Sequence, residues 1–403
     1  MQYLIASRRG RPENDPVFAL NAEAERRARA GEDIVNATIG ALLDDDGALC
    51  VMPSVVEALR DVPARVAAAY APIAGHDEFR HAVAHDLLGA QGLTDMAAAV
   101  ATPGGTGALR LAIDNFLDTR QALLTGSLYW GPYRTLCEES GRVLTTFRIF
   151  DAAGRFDLDD LDRQLGAVIA AQGRALVVLN TPCHNPTGYS LDAGELAGVS
   201  DIVTRHAQHH PVVVVHDIAY GYFEPAGLAR CLAASAELVD RAMVLFAWSA
   251  SKSFLQYGLR VGALVTAVPD SAERAVVQSS LTYSCRGMWS NCNAGGMAGV
   301  TRVLADPERR ARVVAERGAL VALLARRAAR WNELAAPAGL RYPRYSGGFF
   351  TTVFCHDALA VAERLRQRGV YLLPQDGVLR VALCAVNEPQ IERVVRELEG
   401  ELR

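Results

Sequence analysis

Between residues 175 and 267 the chain alternates short apolar runs with helix-like stretches, and few architectures accommodate that rhythm. Four runs, at 175–179, 211–215, 243–247 and 261–267, have strand length and almost no polar interruption. Continuous apolar strands separated by helices predict a parallel α/β sheet with both faces covered. Polar, chemically capable residues follow three of the runs. Asn185 lies in the loop after the first, Asp217 just past the second, and Ser249, Ser251 and Lys252 after the third. Open parallel sheets bind ligands beyond the carboxyl ends of their strands, so these three ends mark an expected site.

At 403 residues the chain exceeds one core of usual size, and two domains are expected. Residues 307–336 predict a long amphipathic helix whose arginines form a solvated face. From Tyr342 onward the pattern gives a strand near 349–354, a helix near 359–368, a strand near 379–383 and a final helix. That α+β pattern predicts a smaller second domain. A formal charge of -4 offers no large basic field for nucleic acid or an acidic membrane surface. The start holds only a three-residue apolar run before Arg8 and Arg9, too short for a secretory signal. No window approaches the ~18 apolar residues of a membrane span. The eight cysteines are scattered without a C-x-x-C pair, which predicts buried thiols in a reducing cytoplasm. His81 and His85 are four apart on a predicted helix with no evident third ligand, so no metal site is expected.

The composition isolates one residue. The sequence contains 40 arginines and a single lysine, Lys252. The two types exchange freely on most solvated surfaces, so a position that keeps lysine is a candidate for chemistry that arginine lacks. A guanidinium stays protonated, whereas a primary amine can lose its proton and condense with a carbonyl. Compositional bias with one chance survivor would give the same count, so the neighbours of Lys252 must decide.

Those neighbours supply anion-binding and ring-binding groups. Ser249, Ser251 and Lys252, with Arg260 eight residues beyond Lys252, place two hydroxyls, an amine and a guanidinium after one strand. A guanidinium offers a planar donor fork that suits phosphate. Thr102-Pro-Gly-Gly-Thr-Gly-Ala-Leu-Arg110 opens a helical stretch, where glycines and free N–H groups accept a close anion. Taken alone it is equally a structural turn. Asp217 could hold a pyridine nitrogen protonated, and Tyr220 could donate to a ring hydroxyl; a capping aspartate and a core tyrosine are the plainer alternative. A phosphorylated pyridine aldehyde, pyridoxal phosphate, matches the whole set.

The set His184-Asn185-Pro186-Thr187-Gly188, Asp217-x-x-Tyr220 and Ser249-x-Ser251-Lys252 with Arg260 resembles the fold-type I pyridoxal-phosphate aminotransferases of class I/II, in the aspartate and aromatic subgroup. The resemblance extends over nearly the whole chain. Val35-Asn-Ala-Thr-Ile-Gly40 is similar to that subgroup's first active-site loop, and the segment from Tyr70 to its intersubunit tyrosine segment. Pro103-Gly-Gly-Thr-Gly is similar to its phosphate turn, and Trp130 to its ring-stacking tryptophan. The resemblance implies a large domain with a mostly parallel seven-stranded sheet flanked by helices, plus a smaller α+β domain from both termini. Residues 1–45 would be an N-terminal arm and part of the small domain, 46–310 the large cofactor-binding domain, and 311–403 the C-terminal small domain.

The same resemblance implies roles. Lys252 would carry the cofactor as a Schiff base and shuttle the substrate α-proton; Asp217 would pair with the pyridine nitrogen; Asn185 and Tyr220 would bond the ring oxygen. Gly105, Thr106, Ser249, Ser251 and Arg260 would hold the phosphate, with Tyr70 reaching in from the second subunit of a homodimer. Trp130 would cover the ring; Gly40, Trp130 and Asn185 would border the substrate, and Arg380 would grip its α-carboxylate. Arg286 matches the segment whose arginine crosses the dimer interface to a side-chain carboxylate, which favours acidic substrates and 2-oxoglutarate, with aromatic ones admitted if it swings away.

Three departures from the subgroup stand out: Tyr133 replaces a histidine behind the pyridine-binding aspartate, Gly104 replaces a serine, and Cys292-Asn293 replaces a proline pair. The expected reaction is amino-group transfer. A lyase or decarboxylase on the same scaffold is the alternative, since fold does not fix reaction. A regulator of this fold would carry an appended DNA-binding helical domain, and none is expected before residue 30.

Overall fold

A computed structural model describes residues 3–5, 8–11 and 16–402. Of the arm expected over 1–45, residues 1, 2, 6, 7 and 12–15 lie outside the described residues. The strands in chain order are β1 (Val35–Asn36), β2 (Ala97–Thr102), β3 (Ala122–Gly126), β4 (Val143–Phe147), β5 (Ala175–Asn180) and β6 (Val212–Asp217). They continue with β7 (Met243–Ser249), β8 (Gly262–Ala267), β9 (Thr351–Phe354), β10 (Val370–Tyr371), β11 (Leu373–Gln375) and β12 (Val378–Val381).

The expected seven-stranded sheet is present, in the order β2-β8-β7-β6-β5-β3-β4. It is parallel except at β8, which runs antiparallel to both β2 and β7. The run at 261–267 therefore departs from the parallel pattern. The chain between β7 and β8 holds the four-residue helix Ala250–Ser253, too short to cross a sheet face and return in the same direction. Consecutive residues of each strand feed opposite faces, as the pleat requires. Val177, Val214, Phe246 and Ala263 enter one core, while Leu176, Val213, Leu245 and Leu264 enter the other. Each buried Val, Leu or Phe contributes roughly 1.5–3 kcal/mol, which explains the unbroken apolar runs.

A third core joins Val35 and Ala37 to Trp331, Val353, Leu379 and Ile391. Around it lie the antiparallel sheet β11-β12-β9 and the pair β1-β10. The helix Pro307–Ala335 links the cores: Val313 and Leu324 pack into the first, Ala328 and Trp331 into the third. Its start is fixed by Asp306, whose carboxylate accepts from the backbone of Glu308 and Arg309, with proline at the first turn. Among the described residues no helix is long and apolar enough to cross a membrane. Strands β5, β6 and β7 are neighbours, with Asn180 level with Asp217 and Asp217 level with Ala247, so their carboxyl ends open onto one space.

Candidate active site

That space is a cavity of about 300 Å³. Ten residues singled out in the sequence line it: Gly105, Thr106, Trp130, Asn185, Asp217, Tyr220, Ser249, Ser251, Lys252 and Arg260. Lys252 stands on the short helix Ala250–Ser253, whose start is capped by Ser249 accepting from the backbone of Ser251. Its Nζ donates to the Gly40 carbonyl at 2.8 Å and lies 4.3 Å from the centre of the Tyr257 ring. Burial lowers the amine to about 8; the Arg260 and Arg380 guanidiniums act in the same direction, and the Cys384 thiol opposes them. A side chain at Gly40 would come within 2.6 Å of the Phe350 ring, so glycine keeps that carbonyl in reach of the amine.

Asp217 is the last residue of β6, which runs two residues past the end of the apolar run at 211–215. Its carboxylate is buried and accepts from the Tyr133 hydroxyl at 2.6 Å and from the Ala219 amide at 3.2 Å. Burial raises its pKa, and those two hydrogen bonds hold it down. No cation among the described residues pairs with it. Tyr133 thus keeps a donor where the subgroup has histidine, and burial raises the phenol far above its ordinary range, so it stays neutral. Tyr220 is likewise pushed up by burial and is bonded to Asn185.

Three backbone features shape the glycine-rich end of the cavity. Gly104 takes a left-handed φ of 73° as the helix Gly104–Phe116 begins, so that helix's free N–H groups face the cavity beside Gly105 and Thr106. Arg260 also takes a positive φ, 54°, and its Nη1 donates to Ser251 Oγ at 3.0 Å. A non-glycine residue in that region is strained by about 1–3 kcal/mol, which the surrounding contacts must hold in place. Gly262 lets β8 start against the turn, because a Cβ there would lie 2.5 Å from the Gly104 carbonyl carbon.

Arg380, on β12, is buried with its Nη1 donating to Asn185 Oδ1 at 3.2 Å and its Nη2 to the Thr38 carbonyl at 2.5 Å. It therefore meets the cavity through Asn185. Tyr70 and Arg286 are not brought to the cavity of their own chain. Tyr70 is 91% exposed. Arg286 is exposed in the last turn of the helix Ser271–Met288 and donates to Ser290 Oγ at 2.7 Å. The Cys292-Asn293 departure has a local role: Asn293 caps the helix Ala294–Ala305 and donates to the Leu259 carbonyl, next to Arg260.

Four lining or supporting residues were not assigned roles from sequence. Asn180 ends β5 and ties the site together, donating to the Asp217 carbonyl at 2.7 Å and accepting from the Asn185 amide at 2.6 Å. A polar residue closing an apolar run was a usable signal for it. Tyr257 covers Lys252 and receives the Leu42 amide on its hydroxyl at 2.9 Å. Phe18 reaches the cavity from the helix Pro16–Arg29, and Leu109 from the helix Gly104–Phe116. Phe18 comes from a distant segment, whereas Tyr257 between Lys252 and Arg260 and Leu109 in the glycine-rich segment were local signals left unused.

Comparison with known proteins agrees with this geometry. The family described as aminotransferase class I and II matches residues 32–398. The chain is 30% identical over 399 residues to an aspartate aminotransferase of Pseudomonas aeruginosa, covering 95% of this chain and 96% of the relative. A solved aminotransferase structure from Anaerococcus prevotii superposes with a TM-score of 0.94 at 31% identity, covering 100% of this chain and 99% of the other. An aromatic-amino-acid aminotransferase from Burkholderia pseudomallei, covalently bound to pyridoxal phosphate, superposes with a TM-score of 0.79 at 29% identity over 100% of both chains. With strand order, core and match all spanning nearly its full length, the chain belongs to the class I and II aminotransferases, enzymes that move amino groups between amino acids and 2-oxo acids.

Proposed function

We propose that the cavity holds pyridoxal phosphate on Lys252, and that the enzyme passes the amino group of an acidic L-amino acid to a 2-oxo acid such as 2-oxoglutarate, aromatic donors being admitted when Arg286 turns away. The observation that carries this reading is the placement of the chain's sole lysine between a glycine-rich helix start and a buried carboxylate that pairs with no cation among the described residues. The donor set fits the group. Asp217 would oppose a protonated ring nitrogen, which supplies the counter-charge that burial demands. Gly105, Thr106, Ser249, Ser251 and Arg260 would hold the phosphate, and Trp130, Asn185 and Tyr220 would border the ring. When bound, the cofactor draws off the electrons left at the substrate α-carbon and carries the amino group between the two half-reactions.

The chain's own groups do the positioning and the proton work. Arg380 presents its fork to the α-carboxylate, sharing donors now given to Asn185 and Thr38. Lys252, whose amine burial lowers to about 8, would take the α-proton as general base once the incoming substrate amine has replaced it on the cofactor. Tyr257 shields the amine side of the cavity from water. Exposed Tyr70 and Arg286 support a homodimer with shared sites, in which Tyr70 would reach the partner's phosphate and Arg286 the partner's substrate side chain. Two domains would meet within the helix Pro307–Ala335, where packing passes from the first core to the third. The free cysteines support a reducing, cytoplasmic setting.

Borohydride reduction of the holoenzyme should leave a phosphopyridoxyl adduct on the tryptic peptide that contains Lys252; its absence overturns the cofactor assignment. Arg286→Ala should lower kcat/KM for aspartate about 100-fold, the scale of a lost charge pair, while changing that for phenylalanine less than about threefold. Equal losses for both donors would remove the case for acidic preference.

A further inference from the structure

A second cavity, of about 400 Å³, opens between the helices Pro225–Ala236 and Pro307–Ala335 and shares no described lining residue with the active-site cavity. Its walls are apolar, with Leu228, Phe254, Val313 and Val321 prominent. The polar lining residues are Asp86, Tyr222, Arg310 and Arg317, and Arg317 is only 9% exposed. Its guanidinium lies 4.7 Å from the Tyr222 ring centre and 5.8 Å from that of Phe254. Among the described residues it has no hydrogen-bond acceptor and no ion pair.

The charges around it do not balance. Arg310 and Arg317 face one lining carboxylate, Asp86. Asp86 already accepts from Arg310 at 2.6 Å and from the Tyr222 hydroxyl. Ring faces give a buried guanidinium partial compensation, and an unpaired one remains costly to hold. Burial lowers its hold on the proton, yet an arginine keeps its charge in a protein. An apolar chamber with a surplus guanidinium is complementary to one negative charge on an apolar body.

We infer that this cavity is a second ligand site that takes an apolar monocarboxylate, with the carboxylate on Arg317 and the hydrocarbon or aryl tail against Leu228, Val313 and Val321. An amino acid fits poorly, because its ammonium would face two guanidiniums while Asp86 is already engaged. A dicarboxylate lacks a second cation, since Arg310 is paired with Asp86. The site borders the catalytic segments. Phe254 directly follows the helix that carries Lys252 and packs on Trp248 of β7 at 6.0 Å. The Trp248 indole N–H donates to the Tyr222 hydroxyl at 3.1 Å, two residues beyond Tyr220.

The test is fluorine NMR of the holoenzyme with 4-(trifluoromethyl)phenylacetate as probe. Two bound signals per chain are expected. Arg317→Met should weaken one at least about tenfold and leave the other, which Arg380→Met should remove. The uncharged probe 4-(trifluoromethyl)benzyl alcohol should not fill the Arg317 site. Replacing an unpaired buried charge with methionine is expected to leave folding intact. If that variant is nevertheless recovered unfolded, Val321→Phe, which fills the cavity without altering charge, must remove the same signal. A single binding event lost in Arg380→Met overturns the proposal. So does a second event that survives Arg317→Met or Val321→Phe, or that takes the alcohol equally well.

Discussion

Lys252 is useful because the fold makes its charge uncomfortable. Its ammonium loses water beneath Tyr257, keeps one carbonyl partner, and faces two guanidiniums that oppose it. The consequence for stability has a definite sign. The folded amine titrates near 8, below its ordinary 10.5, so between those values the unfolded chain binds more protons than the folded one. Stability of the cofactor-free protein should therefore rise through that window, and the penalty should be fully present below about pH 8. Lys252→Met removes the titrating group and loses a pH-independent hydrogen bond to Gly40. Measured by thermal melts without cofactor, the variant's Tm relative to the parent should fall by a few degrees between pH 7 and pH 10. A difference that stays constant across that range would mean the amine is not destabilised by its surroundings. Asp217 shows the complementary case, a buried acid that Tyr133 and the Ala219 amide keep from rising further. The resemblance placed Tyr133 behind Asp217, and the 2.6 Å bond forms once the assembled sheet brings residues 133 and 217 together.

Strand ends and helix starts form the site, so the tightest constraints at this scale are contacts between backbones. β8 begins beside the turn at Gly104, and Gly262 is the residue that lets them touch. Gly262→Ala would force a Cβ within 2.5 Å of the Gly104 carbonyl carbon, displacing either the strand or the turn. We expect destabilisation of about 1–3 kcal/mol by urea titration, with weaker pyridoxal phosphate binding by equilibrium dialysis. An unchanged affinity would show that the turn does not shape the phosphate site. The elements differed in how readable they were. β5, β6 and β7 declared themselves as continuous apolar runs because both of their faces are buried. β2 is alanine at four of its six positions and β4 is half-exposed with two threonines, so neither carries the β-branched apolar signature that periodicity detects. The antiparallel course of β8 was hidden for a different reason: direction depends on what the connection can span, not on the strand's own composition. The glycine-rich turn and Lys252 were legible because each required a residue type that no other could replace, whereas Phe18 reached the cavity by tertiary packing alone.

The whole assembly decides whether the site is complete, and one experiment separates a shared site from a private one. Within a single chain the cavity has its amine, acid and glycine-rich helix start, while Tyr70 and Arg286 point their exposed side chains elsewhere. If each site draws its lysine from one chain and its Arg286 from the partner, two defective variants must complement each other. Lys252→Ala homodimers would be inactive, and Arg286→Ala homodimers would be nearly inactive on aspartate. Co-refolding them in equal amounts gives hybrids in which one site combines the intact lysine of one chain with the intact arginine of the other, and the second site carries both defects. Random pairing makes half the dimers hybrid, each with one of two sites intact, so activity on aspartate should recover to about one quarter of the parent level. If Arg286 instead serves its own chain, every hybrid site carries one defect or the other, and mixing restores nothing. A recovery near one quarter, disappearing when either variant is cross-linked as a homodimer before mixing, is the expected outcome. Failure to recover, with hybrids demonstrated by native mass spectrometry, would place the specificity arginine outside the partner's site.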